Sequence, residues 1–188
     1  MNIEGVEHFP GHLSAHESER LFELLRQEID WQPEEIKLFG KTLLAPRLAA
    51  YYGDTGAIYR YSGVDHIAQA WSATLAELRE TIARLVGVEF NSVLCLLYRS
   101  GDDSMGLHSD DERHLDPQAP ICSVSLGATR SMVWKSKAGA RRERLELASG
   151  DVVIMQPGVQ RIWKHGIAKT RRKVGERINL TFRRVSIT

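Results

Sequence analysis

Apolar residues recur in two rhythms along the chain. Over residues 14–29, Leu21, Leu24, Leu25 and Ile29 fall on one face of a helix, and Ser14 with Glu17 forms a capping box at its start. A second helix is predicted over residues 67–86, where Trp71, Leu75, Leu78, Ile82 and Leu85 repeat at three and four, and Gly87 stops it. Between them lie a turn-rich stretch around Pro33 and Gly40 and short β-type segments near residues 47–52 and 57–61, joined by Gly53-Asp54-Thr55-Gly56. Beyond Gly87 the pattern becomes a series of short strands: residues 92–98, 121–126, 131–134, 144–147, 151–155, 163–166 and 177–183. Gly, Pro and Asp turns separate them, which points to a sandwich or barrel. There is no internal repeat, low-complexity tract or interdomain linker. The expected class is α+β, with helices first and a β-rich half after them.

Composition narrows the classes without choosing a function. With 188 residues, 43% hydrophobic and 26% charged, the chain can bury the core of one domain. A disordered tail, a disulfide-stapled miniature and a collagen-like fibre are excluded. No run of about 18 apolar residues exists to span a membrane. Met1-Asn2-Ile3-Glu4-Gly5 lacks the basic and apolar regions of a secretory signal. Cys95 and Cys122 sit in apolar runs without C-x-x-C spacing, so reduced, buried thiols in the cytoplasm (or the nucleus, in a eukaryote) are expected. Nothing suggests more than a monomer.

Charge adds a hint of a partner. The net charge is +1, yet residues 1–36 carry nine acids and two bases, and residues 121–184 carry fifteen bases and four acids. Such asymmetry suits an anionic partner, nucleic acid first, or simply a solvated basic face. His8, His12 and His16 are spaced by four, but Pro10 and Gly11 break any helix that would align them, so they are expected at the surface.

The candidate chemistry begins at His108-Ser109-Asp110. Ligand-type side chains at i and i+2 of an extended backbone point the same way, and a second imidazole from a distant strand would complete a facial triad of the kind that holds non-haem iron(II). His165, in Trp163-Lys164-His165-Gly166, can supply it. By itself H-x-D is a weak signal. Next comes Arg177-Ile178-Asn179-Leu180-Thr181-Phe182-Arg183, whose alternation puts Arg177, Asn179, Thr181 and Arg183 on one face. Two guanidiniums on one face can clamp a dicarboxylate. An exposed strand with a basic face is the alternative; the order of H-x-D, His165 and this strand favours the clamp.

These residues, with Leu38-Phe39-Gly40-Lys41, Pro46-Arg47, Tyr52-Gly53-Asp54, Tyr98-Arg99, His108-Ser109-Asp110-Asp111-Glu112 and Ser123-Val124-Ser125-Leu126-Gly127-Ala128, make the chain resemble the AlkB-type iron(II)- and 2-oxoglutarate-dependent dioxygenases. The resemblance is closest to members that repair alkylated DNA, and it covers roughly residues 36–184. It implies a double-stranded β-helix (jelly roll) core with N-terminal helices packed on one side. In one domain over residues 1–188, about 1–90 would hold the helices and a nucleotide-recognition lid, and about 91–188 the catalytic core. It implies Fe(2+), with 2-oxoglutarate and O2 as cosubstrates. His108, Asp110 and His165 match the iron ligands. Arg177, with Tyr98 beside it, matches the partner of the distal 2-oxoglutarate carboxylate, and Asn179 and Arg183 the groups around the carboxylate next to the keto group; Thr181 shares their face. Asp111 and Glu112 fall where members contact the damaged base, Arg47 within another substrate-side match, and Tyr59 and Tyr61 on the segment that walls the base pocket. Phe39 matches an intercalating finger, although as a residue it could equally be an ordinary core phenylalanine.

One position departs from the family. An asparagine usually stands two residues before the tyrosine, contacting 2-oxoglutarate; here it is Leu96. The implied activity is oxidative demethylation of N-alkylated bases in DNA, of the 1-methyladenine and 3-methylcytosine type, with release of formaldehyde, succinate and CO2. The same chemistry on RNA, nucleotides or protein is the alternative. A binding module without turnover is a third reading, which the intact ligand and clamp residues oppose.

Overall fold

Residues 3–38, 41–61 and 64–187 are described by the computed structural model. Phe39 lies outside the described residues, and so do the side chains of Lys37, Lys41, Tyr59 and Tyr61. Along the chain come β1 (Val6–Phe9), α1 (Ala15–Glu28), β2 (Gln32–Leu38), β3 (Lys41–Gly53), β4 (Ile58–Tyr61), β5 (Val64–Ile67) and α2 (Ala73–Val86). Then follow β6 (Ser92–Tyr98), β7 (Met105–His108), β8 (Ile121–Gly127), β9 (Arg130–Ser136), β10 (Arg142–Leu147), β11 (Val152–Met155), the single turn α3 (Val159–Ile162), β12 (Trp163–Ile167) and β13 (Arg177–Arg183).

The strands form a seven-stranded sheet in the order β1-β11-β8-β13-β6-β3-β2 and a four-stranded sheet in the order β10-β9-β12-β7, and the β4–β5 hairpin stands apart. Pairing within both main sheets is antiparallel. Alternation along the central strands sorts the side chains into two cores. Val93, Cys95 and Leu97 of β6 and Ile178, Leu180 and Phe182 of β13 pack with Leu21, Leu25, Leu75 and Ile82 of the two long helices. Leu94, Leu96 and Tyr98 point the other way, where they meet Met132, Trp134 and Ile167 of the smaller sheet. β6 and β13 are therefore buried along their whole length, as strands covered on both faces must be. This is the expected jelly roll with helices on one side.

Both long helices begin at a serine cap. Ser14 Oγ accepts from the Glu17 N–H and Ser72 Oγ from the Leu75 N–H, each at 3.2 Å. Gly87 closes α2 in the left-handed region, φ 73°. The second helix starts later than its apolar spacing predicts. Ile67 belongs to β5 and is 79% exposed, and Gln69 is held extended against β3 by backbone bonds to Tyr51 and Gly53. The stretch around Pro33 is strand rather than turn. β2 is the edge of the larger sheet, where a proline removes no needed donor, and its register shifts between Pro33 and Glu35. The sheet also crosses the division expected near residue 90, because β1 pairs with β11 and β3 with β6.

Candidate metal and cosubstrate centre

The register of β7 against β12 brings two imidazoles together. His108 and His165 are directly paired, with ring centroids 4.5 Å apart. Gly166 allows this approach, since a β-carbon there would meet the Met105 carbonyl oxygen at 2.6 Å and that of Gly106 at 2.7 Å. Just past the end of β7, Asp110 turns its carboxylate between the rings. Oδ1 lies 3.5 Å from His108 Nε2 and Oδ2 lies 3.7 Å from His165 Nε2. The ligating atoms of the three residues all fall within 4.8 Å of one another, the one such group of three among the described residues.

Surrounding bonds set the direction of each ligand. His108 Nδ1 is 2.9 Å from the Gly106 carbonyl oxygen, to which it donates, leaving Nε2 as the coordinating atom. His165 is fixed by packing: Trp134 lies 5.0 Å from its ring, and its Nδ1 has no hydrogen-bond partner among the described residues. The Asp110 N–H donates to Gln160 Oε1 on α3, and its Oδ1 accepts from Arg183 Nη2 at 2.8 Å. Burial would raise the Asp110 carboxyl, but Arg183 and the two histidines hold it well below the usual range. Burial pushes His165 down to about 3 against the pull of Asp110. The centre thus offers a carboxylate and a neutral imidazole, the forms that bind a divalent metal.

The polar face of β13 extends from this triad into the space between the sheets. Arg177 is fully buried, and its Nη2 donates to Ser125 Oγ at 2.8 Å and to Asn179 Oδ1 at 2.7 Å. Its Nε and Nη1 find no hydrogen-bond partner among the described residues. Asn179 Oδ1 also accepts from Ser123 Oγ, and Asn179 Nδ2 donates to Thr181 Oγ1. Tyr98 pairs with Arg177 across the β6–β13 ladder, and its ring centroid is 5.3 Å from the Arg177 Cζ. Tyr98, Asn179, Thr181 and Arg183 line the pocket of the His-Asp-His group, and the Arg177 guanidinium adjoins Tyr98 and Asn179; donors and charge so placed fit a carboxylate cosubstrate of that metal. Leu96 is opposite Asn179 and 4% exposed, so the family's amide position is filled by carbon facing the same pocket.

The substrate-side residues are more scattered. Asp111 and Glu112 line a cavity of about 210 Å³ that also touches Asp110, Gln160 and Arg161. Asp111 is exposed and lies 3.4 Å from Lys137 Nζ. Arg47 lines neither this cavity nor the triad pocket. It is buried, with Nη2 on Glu34 Oε2 at 2.9 Å and Nη1 on the Ser104 carbonyl. Gln160 and Arg130 belong to the centre's surroundings and carry no signal in the sequence, whereas Ser123 and Ser125 lie in the Ser123–Ala128 match without a role of their own there. Only the outward–inward alternation of Ser123-Val124-Ser125 could have placed the two serines opposite the arginine strand.

The model of the 2OG-Fe(II) oxygenase superfamily matches residues 5–183. The chain is 34% identical over 180 residues to the DNA oxidative demethylase ALKBH2 of Mus musculus, covering 90% of this chain and 75% of that one. It is 33% identical over 187 residues to the alpha-ketoglutarate-dependent dioxygenase alkB homolog 3 of Homo sapiens, covering 94% of this chain and 65% of that one. The solved structure of OsALKBH1 shares the fold, with a TM-score of 0.67 at 15% identity over 96% of this chain and 98% of that chain. Among the described residues no helix is long and apolar enough to cross a membrane. The chain belongs to the AlkB family of the 2OG-Fe(II) oxygenase superfamily, enzymes that work with iron(II), 2-oxoglutarate and O2.

Proposed function

We propose that this dioxygenase restores N-alkylated bases in DNA, of the 1-methyladenine and 3-methylcytosine type, by oxidative demethylation. The observation that carries the reading is the His108–Asp110–His165 triad, with Asp110 and His165 buried and His108 half-buried, near a fully buried Arg177 guanidinium beside Tyr98, in a chain similar to a DNA oxidative demethylase. When bound, iron(II) with 2-oxoglutarate and O2 supplies the oxidising step, which ends in formaldehyde, succinate, CO2 and the free base.

The chain's own residues do the holding. Arg177 takes the distal carboxylate of 2-oxoglutarate, with Tyr98 beside it. Asn179, Thr181 and Arg183 line the approach to the metal. Asp111 and Glu112 present acceptors to the exocyclic amine of the base. Lys135, Lys137 and Lys164 surround the opening on the His108 side and suit backbone phosphates. The base must leave its stack to reach the metal, at a cost of a few kcal/mol in a duplex. Phe39, one of two residues between the paired Leu38 and Lys41, would fill the vacated space, while Tyr59 and Tyr61 on β4 would stack on the base. Arg47, bound to Glu34, would contribute by holding the β2–β3 hairpin. In this reading residues 1–188 act as one intracellular monomer, with the lid drawn from roughly the first 90 residues, whose β1 and β3 also join the main sheet of the catalytic core.

The test is demethylation of single- and double-stranded oligonucleotides of DNA and RNA carrying one methylated base, with iron(II), 2-oxoglutarate and ascorbate. Loss of the methyl group from DNA, dependent on 2-oxoglutarate, is expected by mass spectrometry. Conversion of RNA alone would move the substrate to RNA. Conversion of neither would overturn the nucleic-acid reading.

A further inference from the structure

Arg130, at the start of β9, is 2% exposed and is not a ligand of the triad. Its Nη1 donates to the Ser100 carbonyl at 3.0 Å, and its Nη2 to those of Asp103 and Ala168, both at 2.8 Å. Ser100 and Asp103 lie in the loop that leads into β7 and His108, and Ala168 follows β12 and His165. The two segments are already pressed together. Thr170 donates to the Gly101 carbonyl at 2.9 Å, and a β-carbon on Gly101 would come within 2.4 Å of the Thr170 oxygen.

The charge around Arg130 is unusual. Its Cζ is 5.6 Å from the Tyr98 ring centroid, and the Arg177 Cζ is 5.3 Å from the same ring. Two buried guanidiniums therefore share one tyrosine. Both donate to neutral acceptors: Arg130 to backbone carbonyls, Arg177 to Ser125 and Asn179. Asp103, the carboxylate in this neighbourhood, is engaged by the Arg99 N–H, Nε and Nη2. Burial lowers both guanidiniums, Arg177 to about 10. Asp103 lies close enough to act on Arg130, but its one carboxylate is already shared with Arg99, and among the described residues no carboxylate acts on Arg177. Three guanidiniums to one carboxylate is a costly balance in a protein interior, and a bound anion beside Arg177 lowers that cost.

We infer that Arg130 is a positioning residue of the cosubstrate pocket. It holds Tyr98 and the two flanking loops in place and adds a second buried positive charge beside Arg177, which makes the pocket select a 2-oxo acid bearing a distal carboxylate. The inference rests on the assignment of Arg177 to that carboxylate. It predicts a ligand-specific defect: oxalate can chelate the metal but is too short to reach Arg177, whereas 2-oxoglutarate spans both.

The experiment is calorimetric titration of the manganese(II)-loaded protein with 2-oxoglutarate and, separately, with oxalate. Arg130→Met is expected to weaken 2-oxoglutarate at least about tenfold while oxalate stays within about twofold. Arg130→Lys, which keeps the charge, is expected to recover most of the 2-oxoglutarate affinity. If Arg130→Met does not fold by circular dichroism, Arg130→Gln keeps amide donors for the carbonyls without the charge and should show the same selective loss. Equal losses for both ligands would make Arg130 a structural staple only and overturn the inference, as would an unchanged 2-oxoglutarate affinity. Arg177→Met separates the two layers. If it too leaves 2-oxoglutarate unaffected, the underlying assignment fails; if it alone weakens binding, only the role of Arg130 fails.

Discussion

Leu96 shows how one side chain can set the strength of a site whose other parts are intact. It faces Asn179, whose Oδ1 already accepts from both Ser123 and Arg177. An amide at position 96 would add a donor and an acceptor where carbon now stands. Leu96→Asn is expected to tighten 2-oxoglutarate binding by about 2- to 10-fold, the worth of one hydrogen bond of about 0.5–1.5 kcal/mol. The same substitution buries an amide short of partners in the unliganded protein, so its melting temperature should fall without 2-oxoglutarate and recover with it. Thermal unfolding with and without the ligand checks both halves. The triad permits no such adjustment. His165→Ala removes one of three ligands, and manganese(II) binding measured by calorimetry should be lost together with turnover. Near-normal metal affinity in that variant would mean that His165 is not a ligand.

At the scale of elements, the loop between β6 and β7 depends on Asp103, which is 5% exposed and receives three hydrogen bonds from Arg99. Burial would raise its carboxyl, but the Arg99 bonds and the charge of Arg130 bring it below the usual value. The native state then holds this proton less readily than the unfolded chain. The stabilisation is complete above the unfolded value of about 3.9 and is lost as pH falls through the lower native one. Asp103→Asn should cost about 1–3 kcal/mol at pH 7. The gap to wild type should narrow toward pH 3, as urea unfolding at several pH values would read.

Much of this architecture is legible in the chain because it is written locally. The alternation of Arg177 through Arg183 separates the pocket face from the core face, and Ser14 and Gly87 mark helix ends with their own backbone chemistry. β7 escapes notice because four residues with Gly106 among them carry no period, although the strand holds His108. Arg130 reads as one more basic residue, since its three carbonyl acceptors come from loops 27 to 38 positions away. The start of α2 is overrun because Ile67 and Trp71 happen to keep helical spacing across a segment that β3 holds extended.

The whole molecule is polarised, and the smaller sheet is where its basic charge becomes geometry. Arg142 on β10 pairs with Lys135 on β9, and Lys135 pairs in turn with Lys164 on β12. Three cations stand side by side across a ladder whose next strand ends in His108, with Lys137 close by on Asp111. Like charges directly opposite one another destabilise a sheet, and a phosphate backbone laid over them would relieve that repulsion. Binding to an oligonucleotide should therefore weaken steeply with salt, the logarithm of affinity falling by about 0.7–0.9 per contacted phosphate for each unit of log salt. Lys135→Ala and Lys164→Ala should each shrink the slope by close to one contact and weaken methylated and unmethylated strands alike, because phosphates position the strand without reading its base. Fluorescence anisotropy with a labelled strand across a salt series measures both slopes. A selective loss on the methylated strand would place these lysines at the base pocket instead, and an unchanged slope would leave the ladder facing only solvent.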